Sequence, residues 1–323
     1  MEKILDGLGG SALIAGGLAM AMGIEMSADL HRNRTHKSYE LDERAQRVGE
    51  CVTWLLSGMT PLEWTVTHLT HHAFQDSEPN EEQWGLIQKA YPNAPVEAFR
   101  DPHSPVIEGY LNILFKNGTK YYPKASKRIV SYLRGLEADN VPREEWPPHL
   151  RNVDLNQSQF EKLIDKAPHG RMLGLVATGV GISALRGPKR GLMTMGIYIA
   201  AVLSLGGGVN SLGHTGKTDN IVDLLKVMVG TKKPVPDENG SFACDFAKHL
   251  EFFTAGEARH GRHHNQPFNP FITSENNYFR DPSSGLIKGL ARLGLSKFNP
   301  QPLNPKPRNL TENPPYAFLY KAA

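Results

Sequence analysis

The chain has 323 residues, a formal net charge of +3, 21% charged residues and two cysteines. The near-balanced charge supplies neither the basic surface of a nucleic-acid binder nor an acidic tail. Cys51 and Cys244 lie far apart without a C-x-x-C, which excludes a zinc ribbon, a rubredoxin-like centre or a disulfide framework; both are expected to be small buried hydrophobes. Mean hydropathy is −0.39, but apolar segments alternate with polar ones.

After a short polar lead, residues 9–28 are nearly free of charge and rich in Gly, Ala, Leu, Ile and Met, with Glu25 near their end. They predict a membrane-spanning helix. The leading Met-Glu-Lys lacks the basic excess of a signal peptide, so the segment is expected to be retained. It runs into His31-Arg-Asn-Arg-Thr-His36. On an ideal helix, residues five apart differ by about 140°, so these rings either serve different metals or the helix ends between them.

Val48–Trp64 is mixed and interrupted at Gly58-Met-Thr-Pro61. It reads as an interfacial or re-entrant segment with Trp54 and Trp64 at headgroup level, or as a buried amphipathic helix. It delivers the chain to His68-Leu-Thr-His71-His72. Residues 73–166 are polar, with Pro-rich turns and a solvated basic face at Lys116, Lys120, Lys124, Lys127 and Arg128, and predict a water-side cap of short helices and loops.

Residues 171–186 and 191–209 form an apolar hairpin around Arg186-Gly-Pro-Lys-Arg190. The second arm is long enough for a hydrocarbon core of about 30 Å, and the first is short. A soluble protein would instead bury both arms as core helices. The second arm ends in Asn210-Ser-Leu-Gly-His214, whose Asn and His share a helix face. Residues 215–298 complete the cap: a polar stretch, helical periodicity over Phe242–Ala258, then Glu257-Ala-Arg-His260-Gly-Arg-His263-His264, a turn-rich loop and a short amphipathic helix. Residues 299–323 are read as an extended tail.

The spacing H-x-x-H-H thus occurs twice. Positions i, i+3 and i+4 lie within one helical turn, so each copy is expected to aim three imidazoles at one point. Nine of the thirteen histidines are clustered: His31, His36, His68, His71, His72, His214, His260, His263 and His264. One histidine alone is more often structural than ligating. Nine together exceed the need of one ion and suit two ions with four or five ligands each. A nitrogen-rich set without cysteine favours Fe, Zn, Cu or Ni.

The order H-x4-H, H-x-x-H-H, N-x3-H, H-x-x-H-H resembles that of the integral-membrane fatty acyl desaturases, particularly the acyl-CoA branch. The matching residues are His31–His36 with Lys37-Ser-Tyr39, Glu63-Trp64 before His68–His72, Asp101-Pro-His103, Asn210–His214 and Gly256-Glu257 before His260–His264, over about residues 10 to 295. The resemblance implies an all-α fold, a transmembrane helical bundle under a cytosolic helical cap, occupying residues 1–298. It implies two Fe held by the nine histidines, with Asn210 reaching one iron through water. The implied reaction uses O2 and two external electrons to place a cis double bond in a fatty acyl chain.

The acyl chain would be carried on CoA, carrier protein or lipid, and the electron donor would be a ferredoxin or small haem protein. His103, His149, His169 and His249 are left as structural or surface groups. The family has two spanning helices before its first box; one candidate fits here, giving three expected spans. The same ligands would also serve a di-iron hydroxylase or acetylenase. A non-catalytic membrane metal-binding protein is the reading of another class.

Overall fold

The computed structural model describes residues 2–167, 169–246, 250–272, 280–298, 309–312 and 314–320, with side chains from Gly7 onward. The described chain is all-α apart from one two-stranded ribbon. Helix α1 (Glu2–Glu25) passes without a break into a π-helical segment, Met26–Thr35. Strand β1 (Tyr39–Leu41), α2 (Glu43–Ser57) and α3 (Pro61–Phe74) follow. Next come α4 (Glu81–Ala90), α5 (Pro105–Glu108), α6 (Tyr110–Lys116), α7 (Tyr122–Ala138) and α8 (Gln159–Lys166). The long pair α9 (Gly170–Arg186) and α10 (Pro188–Gly213) precedes α11 (Ile221–Met228), α12 (His260–Asn265), α13 (Pro282–Arg292) and β2 (Ser296–Phe298).

Two helices are long and apolar enough to cross a membrane, Gly7–Thr35 and Pro188–Gly213. Only about a quarter of the apolar window in each is buried, 28% and 22%. A core helix of a soluble protein would bury most of such a surface. What α1 does bury is a narrow stripe, Ala15, Ala19 and Met22, packed with Met195 and Tyr198 of α10. Small residues along that stripe let the two backbones approach closely. Gly7 lies beside Arg190, and both helices end in a site histidine, so α1 and α10 run the same way. Residues 171–186, expected as a third span, form a 17-residue helix roughly 26 Å long, shorter than the other two.

Val48–Trp64 resolves into the ends of two helices broken at Gly58, whose φ of 69° suits a glycine C-cap. Helix α2 is amphipathic: Thr53 and Leu56 are buried while Val48 and Cys51 face out. Cys51 is therefore not the buried hydrophobe expected; Cys244 is half-buried, its Sγ 3.4 Å from the Leu212 carbonyl. Trp54 Nε1 donates to the Gly170 carbonyl at 2.8 Å, joining α2 to α9. Helix α3 begins with a Thr60/Glu63 capping box and Pro61, which fixes where its histidines fall.

A second apolar core gathers α3, α4 and α7 around Phe74, Phe99, Ile129, Leu133 and Trp146. The C-terminal stretch joins it and is not simply extended. Tyr316 and Leu319 are buried there, and Tyr316 Oη donates to the Phe99 carbonyl at 2.8 Å. Residues 299–308 of the expected tail lie outside the described residues. Phe242–Ala258 is not α-helical where described, and only its end enters a 3-10 turn, Glu257–Arg259: Ala255 and Gly256 adopt φ of 54° and 93°, and Phe252 and Phe253 face solvent, so no amphipathic α-helix forms. The ribbon β1–β2 is antiparallel and pins the chain after His36 to the end of α13.

Helix α10 meets α6 through Gly207, where a Cβ would collide with the Leu114 and Ile113 carbonyl oxygens; Gly208 beside it faces open space. Gly207→Val should therefore cost about 1–3 kcal/mol, seen as a lower melting temperature in detergent, whereas Gly208→Val should leave it unchanged.

Candidate metal centre

Four segments bring their histidines to one place: the end of the π-segment, α3, the end of α10, and α12. The first solves the H-x4-H puzzle. In a π-turn the backbone bonds close on i+5, and the His36 N–H donates to the His31 carbonyl at 3.1 Å. Residues five apart then stack instead of diverging, and the two rings lie 5.1 Å apart in one cluster. The expectation of rings pointing apart rested on ideal α geometry, which this segment does not have.

The nine histidines divide into two groups, His31, His36, His68, His72 and His263, and His71, His214, His260 and His264. Within each group the ligand atoms lie within 4.8 Å of one another. Neither H-x-x-H-H aims at one point, which corrects the expectation. On an α-helix the i and i+4 side chains differ by about 40°, while i+3 and i+4 differ by about 100°. So His68 and His72 serve the first group and His71 the second, while His260 and His264 serve the second and His263 the first. Each H-x-x-H-H contributes to both centres, and the rings of the two groups touch: His72 stacks on His264 at 4.3 Å.

The nitrogen spacings fit ions. Donors about 2.1 Å from one ion and at right angles to each other lie about 3.0 Å apart. Here His263 Nε2 is 2.7 Å from His31 Nε2 and 2.9 Å from His72 Nε2, and His72 Nε2 is 3.0 Å from His68 Nε2. In the second group the Nε2 distances are 2.9 Å for His214–His260, 3.1 Å for His260–His264 and 3.3 Å for His71–His264. His36 Nε2 is buried with no hydrogen-bond partner, as a ligating lone pair would be.

Three rings are oriented by carboxylates. His31 Nδ1 faces Glu257 Oε1 at 3.0 Å, His71 Nδ1 faces Asp101 Oδ2 at 2.8 Å, and His214 Nδ1 faces Asp76 Oδ2 at 2.6 Å. A carboxylate only accepts, so each ring carries its proton on Nδ1 and presents a bare Nε2 to its group. Asp76 was not visible in the sequence as a functional residue. Its one signal is position, four residues beyond His72 and at a left-handed φ of 57°. Asp101 and Glu257 stood only as parts of longer motifs.

Burial, reinforced by neighbouring rings, holds His36, His68, His72, His260, His263 and His264 well below the ordinary histidine range. They stay neutral, the form that ligates. Burial also acts on His214, but the Asp76 carboxylate outweighs it and raises that ring. Burial alone would raise the Asp101 and Glu257 carboxyls, yet the facing His71 and His31 hold both low. The buried histidine groups can hold metal ions, and an all-imidazole donor set suits iron as well as zinc, copper or nickel.

Asn210 lies one turn before His214, half-buried, with Nδ2 donating to the Gly206 carbonyl at 2.9 Å. His103 is a core residue of the site and not a surface group. Its ring lies 4.6 Å from that of His71, it clusters with His71 and Asp101, and neither ring nitrogen has a partner. Burial, then His71, pushes its pKa down to about 3. His149 packs between Phe74 and Phe99, and His169 caps α9 at a left-handed φ of 56°. His249 lies outside the described residues.

No family model matches the chain, and no curated protein matches it.

Two outcomes are expected. Asp76→Ala should lower metal affinity by about 10–100-fold, measured by competition with a chelator, because His214 loses its orienting acceptor. In metal-free protein the six depressed rings refuse a proton that the unfolded chain accepts below about 6.5. Stability is therefore full above that pH and falls as pH drops, by up to about 1.4 kcal/mol per unit for each ring. Melting curves from pH 8 to 5 should slope steeply downward; a flat profile would contradict this.

Proposed function

We propose that the protein is an O2-dependent di-iron oxidase of the membrane, a desaturase that places a cis double bond in a fatty acyl chain. The observation that carries the reading is the exchange of histidines between two touching groups, five and four nitrogens, drawn from four remote segments. One structural ion needs about four ligands and no neighbour; two adjacent all-nitrogen sites suit paired redox ions. The order and spacing of the histidine boxes, which resemble those of the acyl desaturases, support the same reading.

Bound iron supplies an O2-derived oxidant able to take hydrogen from an unactivated methylene, which no side-chain acid or base can do. The balance per turnover is two C–H hydrogens, two external electrons, two protons and one O2, yielding one double bond and two waters. The chain's own part is placement. The carboxylates of Glu257, Asp101 and Asp76 fix three ring orientations. Trp64 stacks on His68 at 5.4 Å and helps keep water from the first group. Helices α1 and α10 cross the bilayer and end at the metal pair on the cytosolic side, beneath a polar cap that includes α4 to α8 and α11 to α13. A separate ferredoxin or small haem protein delivers the electrons.

Expression in a host with a simple lipid profile, followed by mass spectrometry of its lipids, tests this. A product lighter by two hydrogens is expected, and His263→Ala should abolish it. Gain of one oxygen would make the protein a hydroxylase on the same ligands. Unchanged lipids from protein loaded with iron and supplied with reductant would favour a non-catalytic metal-binding role.

A further inference from the structure

A cleft of about 1210 Å³ opens beside the first histidine group, and His36 forms part of its wall. Glu50 from α2 and Glu161 from α8 line it as well. Both side chains are more than nine-tenths buried, 7% and 5% exposed, and Glu50 Oε2 and Glu161 Oε1 have no hydrogen-bond partner. The nearby cation is already committed. Arg34 donates through Nε to Asp29 Oδ2 at 2.9 Å, through Nη1 to Glu50 Oε1 at 3.2 Å and through Nη2 to the Gln46 carbonyl at 2.9 Å. On the rim Arg47 pairs with Glu43, and Lys37 is exposed. Asp154 adds a further carboxylate to the wall.

Two buried carboxylates, Asp29 and Glu50, thus share one guanidinium, and Glu161 lies within electrostatic reach of it. Buried carboxylate oxygens without a counter-charge are costly. Burial, with Glu50 adding to it, raises the Glu161 carboxyl, the mark of an under-compensated anion. These acids are not among the groups whose ligand atoms gather within 4.8 Å, so they do not make a chelate for a small metal ion. A broader cation fits better. Phe160 and Phe268 line the same cleft, and aromatic residues suit an alkylated ammonium. Leu62, Leu69 and Phe268 continue an apolar wall to His36, whose ring meets that of Phe268 edge-on at 6.3 Å.

We propose that this cleft binds an ammonium group between Glu50 and Glu161, with the attached hydrocarbon lying along Leu62, Leu69 and Phe268 toward His36. Treating that molecule as the substrate rests on the oxidase reading; the cation site itself does not. The substrate class is then an amine-bearing lipid, either a long-chain amine or an aminophospholipid, in place of a polyanionic thioester. Mixed charge on the rim suits a zwitterion or a monocation and offers no basic cradle for several phosphates.

The test is binding to metal-free protein in nanodiscs at pH 7.5, by calorimetry, so that failure of the oxidase reading leaves it intact. The probes are octylammonium, octanol and octanoate, then dihexanoyl-phosphatidylethanolamine against dihexanoyl-phosphatidylglycerol. Octylammonium should bind about tenfold more tightly than octanol, the worth of one charge-assisted contact, and octanoate more weakly still. Glu161→Gln should remove that advantage. Glutamine retains the capping box at Ser158, so the variant keeps α8 intact, and an unchanged melting curve verifies it. His263→Ala should bind the amine normally. Ethanolamine preference over glycerol assigns the ammonium to a headgroup, and preference only among the octyl probes assigns it to a long-chain amine. Octanoate binding as tightly as octylammonium, or an amine affinity unaltered in Glu161→Gln, would overturn the proposal.

Discussion

Nine imidazoles are gathered from four segments into two groups whose ligand atoms lie within 4.8 Å of one another, and the rest of the structure follows from that. Three of the rings hold their proton on the far nitrogen against a carboxylate and so turn a bare nitrogen toward their group. Each group can hold a metal ion among those nitrogens. Crossing the two H-x-x-H-H segments between centres means that neither centre can form without both α3 and α12. The pair is assembled as a unit.

Such a site needs distant segments held to a fraction of an ångström. Arg32, fully buried, does much of this. Its guanidinium donates to the Pro270 carbonyl at 2.9 Å and Ser284 Oγ at 3.0 Å, and pairs with Asp281 at 3.1 Å. The π-segment that carries His31 and His36 is thereby tied to the start of α13. Gly213 is pressed against the His260 ring, where any Cβ would collide, so the end of α10 seats directly on α12. On the other side, Asp76 links His214 to the loop after α3, and Ser104 Oγ donates to Asp76 Oδ1 at 2.6 Å. Carboxylates on loops set the angles of rings on helices.

All nine clustered histidines were legible in the sequence because their residue type and spacing repeat in a way that chance seldom produces. Helical class and two helices long and apolar enough to cross a membrane were legible from apolar runs of sufficient length. What the sequence concealed depends on backbone detail. The π geometry at His31–His36 leaves no signal in residue type, so ideal helical angles pointed the rings the wrong way. The division of each box between centres is a matter of tens of degrees around α3 and α12. Asp76 and His103 acquire their roles through loops that fold back over the site, and pattern reading does not follow loops. Tyr316 and Leu319 anchor a Pro-rich terminus that composition alone describes as extended.

Metal content together with the ligand environment is the most direct test of the central claim. X-ray absorption and elemental analysis of protein purified from iron-supplied cells should show two ions per chain. Each should be surrounded by nitrogen and oxygen at about 2.0–2.2 Å, with the imidazole signature and no sulfur. A single ion per chain, or ligation without the imidazole signature, would contradict the account.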